Sequence, residues 1–423
     1  MLGAPGVCSP GRARVPTISR RAGRAQDTTT RSPGPLVPRG AVCAEWGRLR
    51  LVPETVEIGL GRSGRRGYHL DEIAVVPTRR TRGQAAVSTA WQIDAHAFEL
   101  PLVAAPSDAV VSPATAMEIE RIGGLAVLDG EGLWCRYEDA AAELTSLSGD
   151  TAQLQQVYAK PVVPELIRAR IAELRGAGVR VAVRFSPQHT AELAPHALAE
   201  GVDLLVIQGT VISAEHVRRE NEPGLNLKTF IADLDVPVVV GGVTNYQTAL
   251  HLMRTGAAGV IIGYGAHIGS TTHAALGIEV PMATALIDAA AARRDYLDET
   301  GGRYVHLIAY GDLATGGDIA KALACGADSV MLGEALAAAK ESPGGGLYWD
   351  ATASHPRIPR SAIVDVAFGD DDRPMLEELL VGPTADPSGE RNLFGAVRRV
   401  MGKCGYSSVK EFQKVELIVT GGR

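Results

Sequence analysis

From Leu100 onward two patterns alternate along the chain. Short runs of continuous apolar, largely β-branched residues recur as LPLVAA (100–105), GLAVLD (124–129), VRVAV (179–183), DLLVIQ (203–208), PVVVGG (237–242), GVIIG (259–263), YVHLIA (304–309) and DSVMLG (328–333). Runs this short with no polar alternation predict strands buried on both faces. Between them lie helical patterns such as PELIRARIAELRGAG, closed by Gly176 and Gly178, and TALHLMRTGA, closed near Gly256. Eight strand–helix units predict an α/β fold, a (β/α)8 TIM barrel; a doubly wound sheet usually has fewer strands. Residues 1–54 hold seven prolines and seven glycines and no sustained apolar period. That composition predicts a disordered N-terminal extension, or a start assigned too far upstream, ahead of one barrel domain over 55–423. No window approaches the ~18 uninterrupted apolar residues of a membrane span.

Charge sharpens this division. The first 54 residues carry nine arginines against three acids, so a chain at −6 overall carries −12 in the remainder. An acidic body argues against nucleic acid as partner, because phosphate backbones need a basic stripe. The five cysteines, Cys8, Cys43, Cys135, Cys325 and Cys404, are odd in number and widely spread. They suggest neither a disulfide framework nor a metal site, and the expected location is the cytoplasm.

In a (β/α)8 barrel the chemistry sits at the C-terminal ends of the strands. Three of those ends lead into glycine-rich loops, GYGAHIGSTTH (263–273), YGDLATGGDIAKA (310–322) and GEALAAA (333–339). Glycine lets backbone approach a ligand closely, and helix starts after the seventh and eighth strands offer amides to a phosphate. A phosphorylated ligand is therefore expected there. Elsewhere GLGRSG (Gly59, Gly61, Gly64) satisfies a dinucleotide-binding spacing, but RRGYHLDEIAVVP follows it instead of a helix, so that reading fails.

Read in order, GRRGYHLDEIAVVPTRR (64–80), PLVAAPSDAVVS (101–112), GGLAVL (123–128), GVDLLVIQGT (201–210), VPVVVGGVTN (236–245), TGAAGVIIGYG (255–265), STTH (270–273), GDIAKALACGADSVMLG (317–333) and GAVRRVMGKCGYSSVKEFQKVELI (395–418) resemble the IMP dehydrogenase and GMP reductase family. The resemblance covers residues 56–420 and looks most like the actinobacterial IMP dehydrogenase-related branch. It implies an NAD(P)-dependent purine nucleotide oxidoreductase (IMP to XMP or GMP to IMP), a purine nucleotide ligand (IMP, XMP or GMP), NAD or NADP as cofactor, a potassium ion near Gly263–Ser270 in some members, and a homotetramer. Dehydrogenases of the family usually insert a pair of CBS modules after the second strand. The stretch from Asp129 to Val179 is too short for two modules that each need roughly 50 to 60 residues to form a core.

Residue by residue, the resemblance implies catalytic positions at Ser270 and Thr272, substrate contacts at Ser107, Tyr310, Gly311, Asp312, Gly333 and Glu334, and cofactor contacts at Gln208, Gly209, Gly263 and Gly265, with no metal ligands beyond that potassium. Several of these depart from the family pattern. Ser270 stands where the family carries its nucleophilic cysteine, and a serine hydroxyl without a base is a far weaker nucleophile than a thiolate. His267 or His273 is the candidate base. Tyr310–Gly311–Asp312 replaces an Asp-Gly-Gly turn that holds ribose hydroxyls, Glu334 replaces a phosphate-binding serine, and Gln208 replaces an aspartate on the cofactor side. Asp318 is expected as the N-cap of the helix after the seventh strand. A flap is expected over about 344–390, with Trp349 either stacking on a base or packing, and with the acidic run Asp370–Asp372. The alternative function is a catalytically silent nucleotide-binding paralogue that regulates purine metabolism; a barrel enzyme repurposed for another phosphorylated substrate is a third.

Overall fold

The computed structural model describes residues 55–215, 224–265, 270–352, 361–366 and 373–421. The expectations for residues 1–54, for His267 and for Asp370–Asp372 lie outside the described residues. Eight parallel strands close into a barrel: β1 (Leu102–Ala104), β2 (Leu125–Asp129), β3 (Ala182–Phe185), β4 (Leu204–Gln208), β5 (Val238–Val243), β6 (Gly259–Ile262), β7 (His306–Ala309) and β8 (Ser329–Leu332). Closure runs through β8 and β1, where Val330 pairs with Leu102 and Leu332 with Ala104. Each strand lies on one of the eight expected runs. The third is the most displaced, starting at Ala182 and continuing through Arg184 to Phe185, and the fifth runs one residue past its run, to Val243.

Helices alternate with the strands as α1 (Pro113–Ile122), α2 (Pro164–Gly176), α3 (Thr190–Ala199), α4 (Leu227–Ala232), α5 (Tyr246–Met253), α6 (Met282–Thr300), α7 (Gly316–Ala324) and α8 (Leu393–Cys404). Their limits are chemical. α1 begins with a capping box in which Ser112 and Thr115 satisfy each other's backbone amides, and it ends on Gly123 at φ 105°. α7 also begins with a capping box, but its N-cap is Thr315 and Asp318 is the third helical residue. The expectation that Asp318 is itself the cap is corrected: its carboxylate accepts from the Thr315 amide at 3.1 Å, and Lys321 lies 3.1 Å away.

The continuous apolar runs are explained by two cores. Side chains alternate, so Val103, Val127, Val206, Val239, Ile261, Ile308 and Met331 fill the barrel interior. Their neighbours Leu102, Leu128, Leu205, Val240, Ile262, Leu307 and Leu332 pack outward against the helices. Each such fully buried aliphatic side chain contributes roughly 1.5–3 kcal/mol. A hairpin of Trp91–Ile93 and His96–Phe98 adds Trp91, Ile93 and Phe98 to the inner core near the strand starts, with Trp91 stacked on Phe98 at 5.3 Å. GLGRSG lies in a second hairpin, Thr55–Gly59 with Arg62–Arg65, as its failed helix context requires. The C-terminal strand Glu416–Val419 pairs antiparallel with Ile73–Val76.

Candidate functional site

The ends of β7 and β8 build the main cavity. Beyond Ala309, Tyr310 stays inside the barrel, and its hydroxyl donates to Asp350 Oδ2 at 2.5 Å and lies 3.3 Å from the Tyr348 hydroxyl. The chain then turns sharply through Gly311 (φ 145°) and Asp312 (φ 54°), and a side chain on Gly311 would lie 2.8 Å from the Gly265 carbonyl. Beyond Leu332, a Cβ at Gly333 would lie 2.5 Å from the Tyr348 hydroxyl, so only glycine admits that tyrosine. Glu334 follows as the first residue of a four-residue helix, Glu334–Ala337. Together these residues wall a cavity of about 1060 Å³, with His69 to Glu72, Glu279, Val364 to Val366 and Asp386 to Arg391 on its other sides. A concave space of this size at the strand ends of a barrel is where a small molecule binds.

The electrostatics of the cavity are acidic. Glu334 has no hydrogen-bond or ion-pair partner among the described residues, and burial, then the neighbouring Asp312, raise its carboxyl to about 7. Asp312 itself lies 3.9 Å from His69 Nδ1. Of the other acids in the wall, Glu279 pairs with His273 at 2.7 Å and Asp386 with Arg391 at 3.4 Å.

Across the barrel mouth, Gln208, Gly209, Arg184, Thr210, Tyr264 and Asp350 to Thr352 enclose a second space of about 10 Å³, room for one water. Two buried polar atoms of its lining residues have no partner among the described residues, Arg184 Nε and Gln208 Oε1. Asp350 touches both spaces' walls, lining the small one and accepting from Tyr310, which lines the large one.

Behind the small space sits a buried charged cluster that sequence reading missed. Arg184, 3% exposed, donates to Asp129 Oδ1 at 3.1 Å and to the Gln208 carbonyl at 2.9 Å, and lies 4.0 Å from Glu131. Glu131 also pairs with His189 at 2.6 Å; despite its burial, the His189 hydrogen bond and Arg184 hold its carboxyl down at about 2. Asp108 and Asp129 are buried acids whose carboxyl pKa values are raised, chiefly by desolvation. The Tyr158 hydroxyl donates to Asp108, and the Trp349 indole donates to Tyr158 at 3.1 Å. The available signal was charge at strand ends, in VLDGE and VRF.

The predicted site residues separate into groups. Tyr310, Gly311, Asp312, Gly333 and Glu334 come together in the large cavity, and Gln208 and Gly209 in the small one. Ser107 lies in neither wall; it is 2% exposed and its hydroxyl donates to the Trp349 carbonyl at 2.5 Å. Trp349 is 1% exposed, so it packs and offers no face to a base. Gly263 and Gly265 serve close backbone approach, since their Cβ atoms would lie 2.0 Å from the Tyr310 carbonyl and 2.8 Å from Asp350. The Ser270 hydroxyl donates to Thr272 Oγ1 at 3.3 Å and accepts from the Thr272 amide at 3.4 Å. His273, the described candidate base, is committed to Glu279. Of the helix starts expected to hold a phosphate, one is capped by Thr315 and Asp318 and the other opens on Glu334.

Fold and cavity define a TIM-barrel protein with a large cavity at its strand ends. The IMP dehydrogenase / GMP reductase domain matches residues 67–355, and the chain belongs to that family. It is 56% identical over 375 residues to an uncharacterised oxidoreductase of Mycolicibacterium smegmatis, covering 86% of this chain and 99% of that one. Inosine-5′-monophosphate dehydrogenase of Aquifex aeolicus is 32% identical over 197 residues, covering 46% of this chain and 36% of the relative. The crystal structure of an IMP dehydrogenase/GMP reductase-like protein from Corynebacterium glutamicum superposes with a TM-score of 0.81 at 50% identity, covering 86% of this chain and 97% of that one.

Proposed function

We propose that the chain is an NAD(P)-linked oxidoreductase acting on a purine ribosyl compound, with chemistry of the IMP dehydrogenase or GMP reductase type. The observation that carries this is the 1060 Å³ cavity formed by Tyr310, Gly311, Asp312, Gly333 and Glu334 in a chain of this family. Tyr310 and the glycine turns shape the cavity, and Asp312 and Glu334 supply acceptors for ligand donors. The bound nicotinamide would exchange a hydride with the purine. The donor set on the opposite side fits it: the unpartnered Arg184 Nε and Gln208 Oε1 match the oxygen and amino group of a carboxamide. The space of about 10 Å³ is far too small for that ring, so entry of the cofactor requires Asp350–Thr352 to move aside.

A silent, nucleotide-binding role is the second reading, and it is favoured by one specific observation, that Ser270 meets Thr272 and no base among the described residues. The two readings separate in one experiment on the full chain. Thermal shifts are recorded with IMP, XMP, GMP, NAD and NADPH while absorbance is followed at the NAD(P)H band. A shift with absorbance change is the result expected of an oxidoreductase. A shift alone assigns the binding role, and neither signal refutes both. A cytoplasmic homotetramer is proposed with this function and is checked by light scattering.

A further inference from the structure

We propose that Tyr310 is a positioning residue of the cofactor space: its hydroxyl, reaching from the wall of the large cavity, holds Asp350 in the small one, and the nicotinamide enters only when that bond breaks. This rests on the oxidoreductase reading above and names the interaction that keeps its cofactor space shut. The ring of Tyr310 lines the large cavity, whereas Asp350 lines the small one. Between them runs a hydrogen bond of 2.5 Å from the phenol to Asp350 Oδ2. Burial, then the Asp350 carboxylate, push the phenol well above its ordinary range, so it keeps its proton and stays a donor. Room for the pair is built into the backbone. At Gly265, with φ 107°, a Cβ would lie 2.8 Å from Asp350 Oδ2 and 3.4 Å from the Tyr310 ring.

The other bonds of Asp350 do not fix its carboxylate to the barrel. Its Oδ1 accepts from the Thr352 amide and hydroxyl, each at 3.1 Å, and these bonds travel with the segment when it moves. Its amide donates to Ser361 Oγ at 3.1 Å, which holds the backbone and leaves the carboxylate free to turn. Among the described residues, Tyr310 alone ties that carboxylate by a hydrogen bond to a strand end. The Tyr348 hydroxyl lies 3.3 Å from that of Tyr310 but has no hydrogen bond to Asp350 among the described residues. Hydrogen bonds to a carboxylate are stronger than neutral ones, the more so away from water. A bond that holds the closed form lowers apparent cofactor affinity by the fraction of molecules it keeps closed. Removing the Tyr310 hydroxyl therefore raises that affinity, the reverse of what damage to a binding wall does.

The test is calorimetric titration of the full chain with NAD and with NADPH. Tyr310→Phe removes only the hydroxyl and is expected to bind its cofactor about tenfold more tightly, the worth of a hydrogen bond to a charged group. Asp350→Ala removes the same bond from the other side and is expected to tighten binding as well, so the test survives a Tyr310 variant that fails to fold. The double variant should bind no more tightly than Asp350→Ala alone, because both changes delete one interaction. Tyr348→Phe should stay within about twofold of the parent, as it leaves the Tyr310–Asp350 bond in place. Unchanged or weaker cofactor binding in Tyr310→Phe, or gains that multiply in the double variant, overturns this inference and leaves the proposed function standing. Failure of NAD and NADPH to bind the parent and every variant removes the cofactor reading and this inference with it.

Discussion

Replacing Asp328 with alanine should separate stability from ligand binding. Asp328 is 1% exposed and sits just before β8, at the opposite face of the barrel from the cavity. Its Oδ2 accepts from Arg293 at 2.6 Å and the Leu307 amide at 2.9 Å; its Oδ1 accepts from Tyr304 and Lys410, each at 2.7 Å, and from Gln413 at 3.1 Å. One carboxylate thus ties α6, β7 and the C-terminal segment together. Arg293 is 7% exposed, and losing Asp328 leaves its guanidinium buried without a counter-ion. Breaking a buried pair in this way costs about 3–5 kcal/mol. For a folded body of roughly 370 residues the unfolding entropy is ~0.8 kcal/mol per degree, so Asp328→Ala should lower Tm by ~4–6 °C.

Differential scanning fluorimetry reads that shift, and urea unfolding at fixed slope checks it. The pH dependence has a definite sign. Burial alone would raise the Asp328 carboxyl, but Arg293 and Lys410 outweigh it and the carboxyl is lowered. Its contribution is therefore complete above about pH 5 and is lost as pH falls through and below about 4, the unfolded value. The gap between the parent and Asp328→Asn should close over that acid range and stay constant from pH 5 to 8. Adding Arg293→Met to Asp328→Ala should recover part of the loss, because the stranded charge is gone. A Tm change under 1 °C for Asp328→Ala, or a double variant no better than the single, would refute the reasoning. Ligand-induced shifts should be the same in parent and variant, since Asp328 is at the strand starts.

Other consequences are as direct. Gly263→Ala places a Cβ 2.0 Å from the Tyr310 carbonyl at φ 108° and should cost at least ~2 kcal/mol, read as a lower Tm or loss of soluble protein; an unchanged Tm would contradict that approach. Thr315→Ala removes the cap of α7 and should cost about 1 kcal/mol, with Thr315→Ser restoring most of it. The hydrogen bond that His189 donates to Glu131 raises the His189 pKa, so its NMR titration midpoint should lie above 6.5 and fall in Glu131→Gln. The same pairing stabilises the fold below the unfolded histidine value and is lost as pH rises through the folded one; a midpoint unmoved by Glu131→Gln would refute the pairing.

How much of this was legible depends on what each residue answers to. All eight strands could be read because continuous Val, Ile and Leu runs report only that both faces are buried, which the inner and outer cores confirm. The third run misled at its end. The apolar run stops at Val183, yet the strand continues through Arg184, because Asp129 and the Gln208 carbonyl receive its donors inside the barrel mouth. Those partners lie 55 and 24 residues away in sequence, so no local pattern announces them. Asp318 failed differently. The string Thr315-Gly-Gly-Asp318 carries a capping-box signal that was available and was read one turn too late. Asp350 could not have been found at all, because its role as partner of the Tyr310 hydroxyl exists only once residues 40 positions apart are folded together. The residues that fold the barrel were thus readable one at a time, whereas those that shape its mouth acquire meaning only in pairs, as Tyr310 does with Asp350 and Arg184 with Asp129.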